Sequence, residues 1–275
     1  MGTKKIYEDV EFIFKSPQNF EGCTLLNGWH GIGECGFISM SHIVDNLKAE
    51  RIGFIITNNI PQFITIKNEQ ITFPFEIYRK DNVVVILPIF EPIKSEHLKF
   101  TKRIVDWSIE EKFEQSILVG GLDKRLEDDH NMKAIYTNAY LDKKKDSGVP
   151  ILNEGLYVTG PLAYMLMFYE LNSFPAVSLL PYAERSRPDP IAASVAVEKI
   201  NHLLDIGVNV KELLEEAERI EKEIESLIKA SRSTERENDS DKGMFVWNNF
   251  LLIDYKIKSH SLFLHFYQLV SILLL

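Results

Sequence analysis

The sequence predicts a layered α/β domain with a largely parallel central sheet, followed by a separate heptad helix. Two observations carry the first part: short aliphatic or β-branched runs recur between about Val10 and Leu180, and helical stretches alternate with them. A third carries the second part: a late run of apolar residues is spaced in steps of four and three.

Taken in order, Cys23-Thr24-Leu25-Leu26 reads as a buried strand and leads into a glycine-rich turn. A helix over Phe37 to Leu47 follows, with Ile38, Ile43, Val44 and Leu47 on one side. Ile52 to Ile56, Val83 to Leu87 and Ser116 to Val119 read as further buried strands. Phe63 to Ile66 and Ile71 to Ile77, around Asn68, read as a hairpin at the sheet edge. Thr159-Gly160-Pro161 opens a helix to about Leu171, and Ala176 to Leu180 returns as a strand. Pro188-Asp189-Pro190 is a strong helix start, because Asp189 can accept from free amides and Pro190 has no amide to lose. That helix runs from Ile191 to about Asp205 and ends at Gly207.

The last helix is placed at Asn209 to about Ser231, with Asn209 and Glu212 forming a capping box. Its apolar positions are Leu213, Ala217, Ile220, Ile224 and Leu227, and nearly everything between them is charged. Such a stripe reads as a partner-binding seam, covered by a copy of this chain or by a paralogue. Ala230 to Gly243 is polar, with no apolar residue before Met244, and reads as a linker. The expected divisions are therefore residues 1–208 as the α/β domain, 209–231 as the helix, 232–243 as the linker and 244–275 as an apolar tail.

Composition narrows the function classes. With 31 Lys and Arg against 40 Asp and Glu, the net charge is −9, which disfavours non-specific nucleic-acid binding. The run Lys143-Lys144-Lys145 is flanked by Asp142 and Asp146 and reads as a solvated loop. Cys23 and Cys35 form neither a zinc pattern nor a redox pair. The first fifteen residues lack the apolar core of a signal peptide, so a reducing cytoplasm is the expected compartment.

Four clusters hold residue types that can carry chemistry. Gly28-Trp29-His30-Gly31-Ile32-Gly33-Glu34-Cys35-Gly36 contains the spacing of a dinucleotide loop between a strand and a helix. A ribose-binding acid is missing, since the tip of the second strand reads Thr57-Asn58-Asn59. The loop therefore reads as a packing turn, with nucleotide binding as the alternative. Cys35 lies near a helix start with His30 close in sequence, but no orienting group completes a triad, so a structural thiol is expected. Glu127, Asp128, Asp129 and His130 read as a solvated loop rather than a metal site, because consecutive acids point in different directions. Tyr182 to Arg187 ends a strand where α/β sheets place ligands, and Glu184, Arg185 and Arg187 there fit an anion or a partner's charges. No catalytic set, cofactor site or metal site is expected.

The chain also resembles a known family. Leu26-Asn27-Gly28 through Gly36, Pro74-Phe75-Glu76-Ile77-Tyr78-Arg79 leading to Asp81 and Val85, and Val119-Gly120-Gly121-Leu122 are similar to segments of the proteasome assembly chaperone 2 family, archaeal branch. The most specific match runs from Leu179-Leu180-Pro181 through Pro188-Asp189-Pro190-Ile191-Ala192-Ala193 to Leu213-Leu214-Glu215-Glu216-Ala217. The resemblance implies a three-layer α/β/α fold similar to nucleoside phosphorylases, without their active site. It implies that the chain binds proteasome α-subunits and assists assembly without catalysis. An ATP-grasp ligase label attached to some relatives has no supporting residues here. Members often end in a hydrophobic–tyrosine–any-residue tail, whereas this sequence ends Leu273-Leu274-Leu275. Ser261 to Leu275 holds eleven apolar or aromatic residues in fifteen. As a helix it would span about 22 Å, short of a hydrocarbon core of roughly 30 Å. A packed or partner-bound segment, a non-native extension and a membrane anchor all stay open for it.

Overall fold

The computed structural model describes residues 4–5, 10–62, 64–67, 69–143 and 148–237. Its strands are β1 (Lys4–Lys5), β2 (Val10–Phe14), β3 (Thr24–Gly28), β4 (Glu50–Thr57), β5 (Thr65–Lys67), β6 (Gln70–Thr72), β7 (Phe75–Lys80), β8 (Val83–Pro88), β9 (Gln115–Val119), β10 (Leu122–Asp123), β11 (Met132–Tyr136) and β12 (Ala176–Ala183). Its helices are α1 (Cys35–Asn46), α2 (His97–Glu110), α3 (Asn138–Lys143), α4 (Gly160–Leu171), α5 (Pro190–Leu204) and α6 (Lys211–Glu237).

Every residue of β3, β8, β9 and β12 is buried, which is why these strands read as unbroken apolar runs and not as alternating ones. They form the parallel half of a ten-stranded sheet ordered β1-β2-β4-β7-β8-β3-β9-β12-β10, with β11 antiparallel to β12. Leu25, Val84, Ile86, Leu118 and Leu180 join Phe100, Ile104, Trp107, Met165 and Tyr169 in one core cluster, so α2 and α4 cover that face. The other face is covered by α1, which packs on β3 and β8, and by α5, which packs on β12 and on α1. The three-layer α/β/α expectation holds.

The largely parallel sheet needs correcting. The pairs β2–β4, β4–β7 and β7–β8 are antiparallel, so one half of the sheet is an antiparallel wing. Short loops such as the one at Asp81 and Asn82 allow hairpin returns, whereas parallel strands need a crossover. The edge placement of Ile71 to Ile77 is corrected in part: Phe75 to Ile77 belong to β7, which lies inside the sheet between β4 and β8. The hairpin around residue 68 is present, but as a separate two-stranded sheet of β5 and β6.

The wing's core is aromatic. Trp107 is fully buried, with ring centroids 4.6 Å from Phe12, 5.1 Å from Phe20 and 5.0 Å from Phe113. Helix α2, which carries this tryptophan, has no counterpart in the sequence reading. Helix α5 starts as expected, with the Asp189 side chain accepting from the Ala192 amide and Pro190 at the first position. It closes at Asp205 in the left-handed region (φ 53°), two residues before Gly207.

Residues 1–210 form one compact unit, and α6 belongs to a second. Asn209 lies ahead of α6 and its amide donates to Asn46 Oδ1 (3.1 Å), while its carbonyl oxygen accepts from His42 Nε2 (2.6 Å). The expected linker is corrected in part, since α6 continues to Glu237. Arg232, Glu235, Arg236 and Glu237 are good helix formers and need no apolar face to extend a helix already nucleated. Residues 238–243 of that linker, and the whole tail 244–275, lie outside the described residues. No helix among the described residues is long and apolar enough to cross a membrane.

Candidate functional site: the glycine-rich cleft and the helical seam

The C-terminal ends of β3 and β9 open into a cleft of about 800 Å³. Its walls are mostly apolar, with Trp29, Ile32, Leu122, Leu126, Leu156 and Val158 among them, and its polar residues include His30, Glu91, Asp123, Arg125 and Arg185. The position is where open α/β sheets hold ligands.

The glycine loop forms one wall, and its glycines serve close approach within the protein. A Cβ on Gly28 would stand 2.3 Å from the Gly36 carbonyl oxygen, and one on Gly36 would stand 2.6 Å from both Trp29 N and Val119 O. These contacts press the first turn of α1 onto the ends of β3 and β9. Gly33 has φ 63°, and a Cβ there would meet the Ala183 methyl at 2.7 Å. Asp189 ties the same region together. Its amide donates to the Gly33 carbonyl (2.9 Å), and its Oδ2 accepts from the Glu184 amide (2.9 Å). The Pro-Asp-Pro block and the glycine loop, distant in sequence, are thus one packed unit.

The titratable groups in this unit are held in unreactive states. Burial keeps His30 neutral, lowering its pKa to about 3, and its ring stacks on Phe37 at 4.4 Å. Burial, with the nearby Asp189 and Glu34 charges, pushes the Cys35 thiol well above the usual range. A thiolate–imidazolium pair needs the opposite shift in each group. Glu34 occupies the position just before α1 in the left-handed region (φ 51°), with no side-chain hydrogen bond to the helix amides, so an acidic residue stands where a phosphate would have to approach them. Asp123 is occupied by Arg125, with Nε at 2.9 Å, and this pair lowers the carboxyl pKa to about 2. Arg185 approaches the same carboxylate at 3.9 Å.

The remaining clusters lie apart. Asp128 pairs with Lys133 at 2.5 Å and lies 3.4 Å from His130 Nδ1, so its charge is spent locally. Glu184 reaches Lys124 at 3.8 Å. Both cysteines are free and buried, and Cys23 Sγ accepts from Arg79 at 3.6 Å. Lys143 ends α3, while Lys144 and Lys145 lie outside the described residues.

The expected seam falls on one helix. Leu213 and Ala217 are buried and Ile220 and Ile224 half-buried; the Leu227 side chain lies outside the described residues. Around the stripe run ion pairs one turn apart: Lys211 with Glu215, Glu216 with Arg219 and Glu218 with Lys222. The sequence reading missed Arg125, Glu91 and the Leu156-Tyr157-Val158 wall of the cleft. No local pattern marks them, because they come from three separate connections: Glu91 between β8 and α2, Arg125 just after β10, and Leu156 to Val158 between α3 and α4.

A profile of the PAC2 family matches residues 25–228. The uncharacterized protein MJ1210 of Methanocaldococcus jannaschii is 26% identical over 225 residues, covering 78% of this chain and 86% of the relative. The crystal structure of Pyrococcus furiosus PbaA, described as an archaeal homolog of proteasome-assembly chaperone, superposes with a TM-score of 0.72 at 25% identity, covering 84% of this chain and 98% of that one. Pyrococcus furiosus PbaB, described as an archaeal proteasome activator, shares the fold with a TM-score of 0.68 at 18% identity, covering 80% and 99%.

Proposed function

Because this chain belongs to the PAC2 family, we propose that it is a proteasome assembly chaperone-like protein that binds proteasome α-subunits through protein–protein surfaces and catalyses no reaction. The observation that carries this reading is the near end-to-end match to PbaA, which covers 98% of that chain. The chemistry of the cleft supports it. The space beside Gly36 is filled by the protein's own backbone and that beside Gly33 by the Ala183, Asp189 and Cys35 side chains, His30 is held neutral, and the Cys35 thiol is held protonated. In this reading the protein works in the cytoplasm, and the half-buried Ile220 and Ile224 of the α6 seam meet a copy of the chain or a paralogue.

The test is a pull-down of recombinant proteasome α-subunits on the immobilised full-length chain, beside a chain ending near Gly243. Retention of α-subunits by the full-length protein is the expected result. Failure to retain them, at subunit concentrations in the tens of micromolar, would remove the proposal.

A further inference from the structure

The chain leaves the C-terminal ends of the neighbouring strands β3 and β9 in opposite directions. From β3 it turns through α1 to β4, on the β8 side of the sheet; from β9 it reaches β12, on the other side, by way of α4. Helices α1 and α4 also lie on opposite faces. The two departures part the backbone above the paired strand ends, and such a switch point is where an open α/β sheet keeps room for a ligand. The cleft of about 800 Å³ stands there, and its volume suits a small molecule.

Its lining specifies what fits. Ile32, Leu122, Leu156 and Val158 offer aliphatic walls. The rim carries more positive charge than negative. Arg125 grips Asp123 through both Nε and Nη2, whereas Arg185 comes only to 3.9 Å of that carboxylate, beyond hydrogen-bond distance, and its side chain is 70% exposed. Two guanidiniums therefore share one carboxylate. Glu91, the other acid of the lining, lies 3.9 Å from His97 and also feels the charge of Lys94, so it is countered on its own side of the cleft. Trp29 adds a buried indole N–H that has no acceptor among the described residues, and a ligand oxygen reaching it would complete its hydrogen bonding.

We propose that the cleft binds a small organic acid with an aliphatic body and a single carboxylate, the body lying against Ile32, Leu122 and Leu156 and the carboxylate on Arg185. This goes beyond α-subunit binding and does not rest on it. A guanidinium can hold a carboxylate through two parallel N–H donors, so Arg185 suits that head. A nucleoside phosphate fits poorly, because the rim has a surplus of one cation and Glu34 stands before the α1 amides. An ammonium head would meet the two guanidiniums.

The experiment is isothermal titration of the full-length protein with octanoate, octanol and octylamine, which share one apolar body, each below its micelle threshold. The same titrations are run on Arg185→Gln and on Leu156→Asn, with ligand-free melting temperatures recorded. Octanoate is expected to bind saturably at one site per chain and about tenfold or more tighter than the other two, as one charge-assisted hydrogen-bonded pair would give. Arg185→Gln should remove that preference while leaving octanol binding unchanged, and Leu156→Asn should weaken octanoate and octanol alike. The comparison of heads is made on the unaltered chain, so it needs no variant to fold. No saturable octanoate binding, or equal affinities for the three heads, would overturn the inference. So would an Arg185→Gln or Leu156→Asn protein that binds octanoate as tightly as the unaltered chain. Any of these outcomes leaves the proposed function standing.

Discussion

At the scale of single residues, His30 shows how the fold settles chemistry that sequence spacing leaves open. Its pKa is lowered to about 3 by burial, against an ordinary value of 6.5. The folded state therefore favours neutral imidazole. The resulting stability is fully present above pH 6.5 and is lost as pH falls from there toward 3, because the unfolded chain takes up the proton first. The whole effect is at most a few kcal/mol. Melting temperature is expected to drop between pH 6.5 and 4.5, and His30→Gln should flatten that part of the profile. Superimposable pH profiles for the two proteins would contradict the assignment. Asp189 was legible in advance as a cap, since a cap is a local event between neighbours in sequence. Its second task, holding Gly33 and the end of β12, was not, because the partners come from distant segments.

At the scale of elements, legibility followed burial on both faces. β3, β8, β9 and β12 read correctly because continuous apolar runs are what doubly covered strands require. Helix α2 was legible and was overlooked: Phe100, Ile104 and Trp107 fall four and three residues apart on its buried side, and Lys99, Lys102 and Asp106 lie between them, which is the two-faced spacing of a surface helix. The parallel assignment was too broad because strand direction depends on how neighbours return, which apolar periodicity does not encode. The extent of α6 was underestimated for a related reason: propensity and charge pairs extended the helix where apolar residues ended. Acidic residues crowd its first half, while Lys229, Arg232 and Arg236 lie in the second, an arrangement that suits the helix dipole. The seam carries its own prediction. Ile220→Asp with Ile224→Asp should lower the mass seen by light scattering while the α/β domain keeps its far-ultraviolet circular dichroism. An unchanged mass would remove self-association through α6.

For the whole molecule, the account makes the surfaces the working parts and the glycine loop a brace between α1, β3, β9 and α5. The Pro-Asp-Pro block and the glycine loop, which carry the family resemblance in the sequence, fit each other in space. The cleft was legible only in part: Arg185 follows a strand end that the sequence marks, whereas its approach to Asp123 joins segments far apart in sequence. The account separates most sharply from a nucleotide-using alternative in one assay: the rate at which purified α- and β-subunits form proteasome particles, followed on native gels with and without the full-length chain and with and without ATP. The account predicts faster particle formation with the chain present and no further change with ATP. An unchanged rate with the chain present, or an acceleration that appears only with ATP, would contradict it.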